Sequence, residues 1–169
     1  TSVPSELSHF QRMHDATAKR HDFHRFSPSY IEQEFKTFAK TGEAILFLAR
    51  LPDGRLDSAA IIFFFGTMAS YRHGASYGLE AHLPTSYLIQ WRAIQEAKRR
   101  ECLWYNFWGI APEKAGKRHP FAGITHFKKG FGGFGKELIE CQDLLLSPRY
   151  FLTRMIETVR RLKRGFWFY

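Results

Sequence analysis

The stretch AILFLARLPDGRLDSAAIIFFFG, residues 44–66, constrains the fold more than any other part of this chain. Two apolar runs flank Pro52, Asp53 and Gly54. Proline presets a turn dihedral, aspartate bonds to nearby backbone and glycine accepts positive φ, so the pattern predicts a β-hairpin.

The flanking segments supply what the hairpin packs with. Leu7, Phe10 and Met13 recur at helical spacing after Pro4, which predicts a helix over about residues 4–19. FSPSYIEQEFKTFAKTG predicts a second, with Ser27 as its cap, Pro28 in its first turn, Ile31, Phe35 and Phe38 as its buried stripe and Gly42 at its end. TMASYRHGAS reads as a third strand. A helix from Pro84 to Arg100 follows, with Tyr87, Trp91 and Ile94 on one face. LWYNFWGI reads as an aromatic strand, residues 121–129 as a short helix, KELIECQDLLL as a strand, and Ser147-Pro148 opens a last helix striped by Leu152, Met155, Ile156, Val159 and Leu162. The expected class is mixed α/β (α+β): a largely antiparallel central sheet flanked by helices. The element order is similar to that of the GNAT acyltransferase fold without its first strand. Residues 1–169 are therefore expected to form one GNAT-like domain that begins partway into a longer protein.

Composition narrows the partners. The chain has 169 residues, 44% of them apolar, which suits one globular domain. A net charge of +9 points to an anionic partner: nucleic acid, a phosphorylated substrate or a membrane surface. Cys102 and Cys141 form no C-x-x-C pair and read as small buried hydrophobes. A cytoplasmic setting is expected, with peripheral contact at the inner membrane face as an option, since no stretch reaches the ~18 apolar residues of a span. No metal site is expected: His9 and His14, and His21 and His24, lack a carboxylate framework and read as surface or substrate-facing. There is no G-x-S-x-G nucleophile motif. KKGFGGFGK fails as a Walker loop because Glu137 follows its lysine. GNAT enzymes that use acetyl-CoA carry a Q/R-x-x-G-x-G/A loop before the helix after the meander. The matching segment here, GASYGLEAHLPTS, has Gly74 and Gly78 without that spacing, and no cofactor is expected.

YNFWGIAP, HPFAGITHFKKGFGG and the closing SPRYFLTRMIETVRRLKR resemble the C-terminal half of the FemABX aminoacyltransferases, the lipid II:glycine glycyltransferase-like enzymes of peptidoglycan bridges. ATAKRHDFHRFSPSYI is similar to the family's T-x-x-R-x-x-F region, and ASYRHGAS and LPTSYLIQWRAIQEAK to its later strand and helix. The resemblance implies a tRNA-dependent aminoacyltransferase of cell-wall and cell-shape biogenesis. Its donor would be aminoacyl-tRNA. Its acceptor would be the stem-peptide amine of a peptidoglycan precursor, lipid II or UDP-MurNAc-peptide. It further implies an N-terminal GNAT-like half as partner, Lys128 as the catalytic cation, and Arg20 (or equally Arg25), Tyr71, Asn106, Phe127, Lys129 and Gly130 around the substrates. Asn106 stands where the family usually has Asp. Lys129 also fits a solvated surface lysine, Phe127 and Phe131 fit packing anchors, and Gly130, Gly132 and Gly133 fit an ordinary helix exit. The basic last helix with its GFWFY tail fits a membrane or tRNA contact or a solvated face. A GNAT N-acyltransferase using acyl-CoA or a carrier protein, and a non-catalytic RNA- or membrane-binding module, are the alternatives.

Overall fold

A computed structural model describes residues 1–21, 23–80, 82–114, 119–139 and 142–164. They form two compact units, residues 1–108 and 109–169.

The first unit is a sheet covered on both faces. The chain runs through α1 (Leu7–His21), α2 (Pro28–Ala39), β1 (Ala44–Arg50), β2 (Leu56–Phe65), β3 (Met68–Ser76), α3 (Thr85–Arg99) and β4 (Trp104–Asn106). Among the described residues the sheet order is β1-β2-β3-β4, antiparallel except for the parallel β3–β4 pair. The expected hairpin is present, and Gly54 takes the positive φ of 89° that its turn requires. Ser27 caps α2 by accepting the Tyr30 N–H at 3.2 Å, and Ile31 and Phe35 are fully buried.

The run AAIIFFF follows from burial on both faces. Ala59 and Ile61 face α1 and α2, packing with Phe10, Met13, Ile31, Phe35 and Leu46. Ala60, Ile62 and Phe64 point the other way, onto Ile89, Ala93 and Ala97 of α3. This corrects the expected stripe of α3: Ile89, Gln90, Ala93 and Ala97 are buried, while Tyr87 and Trp91 are exposed. Alanines let the helix lie close to the sheet, where an indole would hold it off.

Two register shifts place polar groups. Between Ile61 and Ile62 the partner jumps from His73 to Tyr71, so Arg72 is an extra residue in β3. Between Ala49 and Arg50 the partner jumps from Ser58 to Leu56, so Asp57 is the extra residue in β2. The aromatic strand expected over LWYNFWGI is only three residues long. Trp108, at φ 62°, turns the backbone away from an extended path.

The second unit contains α4 (Ala122–Lys129) and α5 (Tyr150–Arg164). The strand expected over KELIECQDLLL is not formed by residues 136–139 or 142–146, and Glu140 and Cys141 lie outside the described residues. A strand needs a hydrogen-bonding neighbour, and none pairs with these residues among those described. Asp143 instead accepts from the Tyr150 hydroxyl and from Arg154 at 3.3 Å, fixing the start of α5. The GFWFY tail lies outside the described residues.

Candidate active site

The bulge at Arg72 gathers a polar cluster that sequence reasoning missed. In a regular strand Arg72 and His73 would point to opposite faces. The extra residue lets both reach α2. Glu34 accepts from Arg72 Nε at 3.0 Å, and its second oxygen lies 2.7 Å from His73 Nε2. The Arg72 guanidinium also donates to the Tyr30 hydroxyl at 3.3 Å. It sits between two rings, 5.5 Å from the Phe26 centroid and 5.2 Å from that of Trp108. Burial alone would raise the Glu34 carboxyl; the hydrogen bonds from His73 and Arg72 outweigh it and hold the group below its ordinary range. Burial lowers His73 despite the carboxylate.

His14 of α1 lies beside this cluster, its ring 6.2 Å from that of His73 and stacked on Phe10 at 5.2 Å. It is 4% exposed, and among the described residues its Nδ1 has no hydrogen-bond partner. His14 is thus a core group and not the surface or substrate-facing histidine expected. Burial, then the neighbouring His73 and Arg25, push its pKa down to about 4. Two sequence signals pointed to the cluster. Glu34 falls on the buried stripe of α2, three residues from Ile31, and Arg72-His73 interrupts an apolar strand.

The expected site residues of this unit take distinct places. Tyr71 leans to the α3 side, its ring in edge contact with Phe107 at 6.3 Å. Burial pushes its hydroxyl up to about 12. Its hydroxyl lies where a side chain at position 74 would go: a Cβ there would stand 1.7 Å away, so only glycine fits. Asn106 is one strand over, its backbone partner being Ser70. Its Oδ1 accepts the Trp108 N–H at 2.8 Å and so supports the turn that brings the indole onto Arg72. Arg20 lies at the far end of β3, donating to the Ser76 carbonyl at 2.8 Å and the Tyr77 carbonyl at 2.9 Å. Tyr71 and Asn106 are therefore on adjacent strands, and Arg20 is apart from them.

Asp57, placed by the second bulge, governs the loop after β3. Its carboxylate is 2% exposed and accepts the Leu79 N–H at 2.7 Å and the Thr85 hydroxyl. This is the loop that holds pyrophosphate in the acetyl-CoA-using GNAT pattern. Here a carboxylate takes up the Leu79 donor.

In the second unit, α4 separates its two lysines. Consecutive helical residues point about 100° apart. Lys129 is exposed, whereas Lys128 is half-buried and donates from Nζ to the Gly109 carbonyl at 2.7 Å. Burial lowers the Lys128 pKa to about 8. The Thr125 hydroxyl accepts the Ala111 N–H at 2.8 Å and ties the preceding loop to the same helix. Phe127 packs edge-on against Phe131 at 5.5 Å. Gly130 caps α4 at φ −60°, a dihedral open to any residue; Gly132, at φ 76°, makes the helix exit.

The sequence matches the FemAB family over residues 52–158. The chain belongs to the FemAB family. Its fold is similar to the crystal structure of FemX, with a TM-score of 0.71 and 18% identity over 77% of this chain and 48% of that one. It therefore spans about half the length of FemX. It is also similar to a probable acetyltransferase, with a TM-score of 0.57 and 10% identity over 85% of this chain and 93% of that one. A point mutant of the BH1408 protein from Bacillus halodurans matches with a TM-score of 0.58 and 12% identity over 85% and 96%. A sequence comparison with curated proteins gives no match. The mixed sheet flanked by helices is the GNAT-like architecture expected from the element order.

Proposed function

We propose that this chain is the C-terminal GNAT-like half of a peptidoglycan bridge aminoacyltransferase. It would move an amino acid from aminoacyl-tRNA to the stem-peptide amine of a cell-wall precursor. The observation that carries the reading is Lys128: a half-buried amine with its pKa lowered to about 8, in the F-K-x-G-F-G-G segment of a FemAB-family chain.

The chemistry suits such a group. The donor is an activated ester, so no covalent enzyme intermediate is needed. The acceptor amine attacks the ester carbonyl, forming the amide C–N bond, and negative charge develops on the carbonyl oxygen. The ester C–O bond then breaks, and the ribose hydroxyl leaves with a proton from the amine. A fixed cation beside the developing oxyanion lowers the barrier by about 3 kcal/mol. The Lys128 ammonium supplies that cation. Arg20 offers a planar fork for a substrate phosphate, and Tyr71 and Asn106 lie on neighbouring strands of the sheet. The acyl-CoA alternative loses support from Asp57, whose carboxylate occupies the loop a pyrophosphate would need.

The test uses the complete protein, labelled aminoacyl-tRNAs, and soluble or lipid-linked precursor. Wild type transfers label and Lys128→Ala falls by at least about a hundredfold with its fold intact. Near-normal transfer by Lys128→Ala removes the role of that residue. Transfer from acetyl-CoA but from no aminoacyl-tRNA removes the reading.

A further inference from the structure

We propose that α5 is an interfacial helix that docks this protein on an anionic lipid surface. Phe151, Leu152, Met155, Ile156 and Val159 follow one another at one- and three-residue steps, which places them on a single helical face. A packed helix buries such a face. Here all five are exposed, from 64% at Phe151 to 48% at Val159. The segment leading into α5 continues the apolar surface: Leu144 and Leu146 are 81% and 85% exposed.

The charge pattern names the occupant. Between residues 150 and 164 there are five basic residues, Arg154, Arg160, Arg161, Lys163 and Arg164, against the single acid Glu157, and Arg149 stands just ahead. Arginine stems lie along apolar surface while their guanidinium groups reach outward, the arrangement by which an amphipathic helix settles among lipid phosphates. The net charge of +9 adds attraction to an anionic leaflet. Among the described residues no helix is long and apolar enough to cross a membrane, so α5 lies on the surface instead of spanning it.

The proposal stands apart from the transferase reading, because vesicle binding does not depend on which group the protein transfers. The full chain is sedimented with vesicles of phosphatidylcholine alone, or containing about 30% phosphatidylglycerol, at about 50 and about 300 mM salt. The expected result is binding to the anionic vesicles only, weakened at the higher salt. Ile156→Glu weakens it by about tenfold or more and Arg160→Glu by about fivefold or more, with far-UV circular dichroism unchanged. Both side chains are exposed, so neither change opens a core. No binding, equal binding to neutral vesicles, or full binding by Ile156→Glu overturns the proposal. Self-association that Ile156→Glu disperses also overturns it, by assigning the face to a second copy of the chain.

Discussion

Lys128→Met should leave the protein at least as stable as wild type at neutral pH, by about 0–1 kcal/mol, while abolishing transfer. Burial lowers the Lys128 pKa from 10.5 to about 8, a drop worth roughly 3 kcal/mol at about 1.4 kcal/mol per pH unit. Solvent still reaches part of the side chain, which reduces the cost of holding the charged form to about 1–2 kcal/mol. The sign follows from proton counting. Between about pH 8 and pH 10.5 the unfolded chain binds the proton and the folded chain does not, so stability rises with pH across that window. Below it both states are protonated and the full cost is present. Methionine fills a similar volume without the charge. It leaves the Gly109 carbonyl without its donor, an offset of about 1 kcal/mol that does not vary with pH. Urea unfolding of both proteins at pH 7 and near pH 10.5 therefore gives a stability difference that shifts by about 1–2 kcal/mol toward wild type at the higher pH. A difference that stays constant between the two pH values refutes a desolvated Lys128, and with it the argument for a buried cation at this position.

Glu34→Gln removes the charge that faces Arg72 and one of the two acceptor oxygens that Arg72 and His73 share, and should cost about 2–3 kcal/mol in urea unfolding at pH 7. Because the Glu34 pKa is lowered, its contribution is present above about pH 4.5 and drains away as the pH falls further, so the difference from wild type shrinks in acid. His14, lowered from 6.5 to about 4, takes up its proton more readily in the unfolded chain. Wild type should lose up to roughly 3 kcal/mol of stability between those pH values, and His14→Leu should flatten that slope in a pH series of thermal melts. Asn106→Asp keeps the acceptor for the Trp108 N–H and should fold as wild type, whereas Asn106→Ala should cost about 1 kcal/mol. Asp57→Ala frees Leu79 and Thr85, and hydrogen exchange should quicken over residues 77–85 before it does elsewhere in the first unit.

The parts of the fold that could be read from sequence are those with local causes. The hairpin, the Ser27 cap and the Gly42 and Gly54 turns depend on a few adjacent residues, and the structure places them as expected. The buried face of α3 depends on what the sheet presents. Opposite Ala60 and Ile62, alanines fit and the indole of Trp91 does not, so aromatic residues mislead when large size is taken as a sign of burial. The bulges are harder to see, since an extra residue in a strand exists only relative to its partner. Yet they place the polar groups: one turns Arg72 and His73 together onto Glu34, and the other sets Asp57 beneath the loop after β3. The candidate site divides along the same line. The separation of Lys128 from Lys129 follows from helical phase alone. The lowered pKa of Lys128 does not, because desolvation is set by the backbone folded around it, from Gly109 to the loop tied down at Thr125. A lysine is a weak catalyst as a solvated point charge and a strong one where water is excluded. The motif thus supplies the residue, while its lowered pKa comes from packing that contributes nothing to the motif.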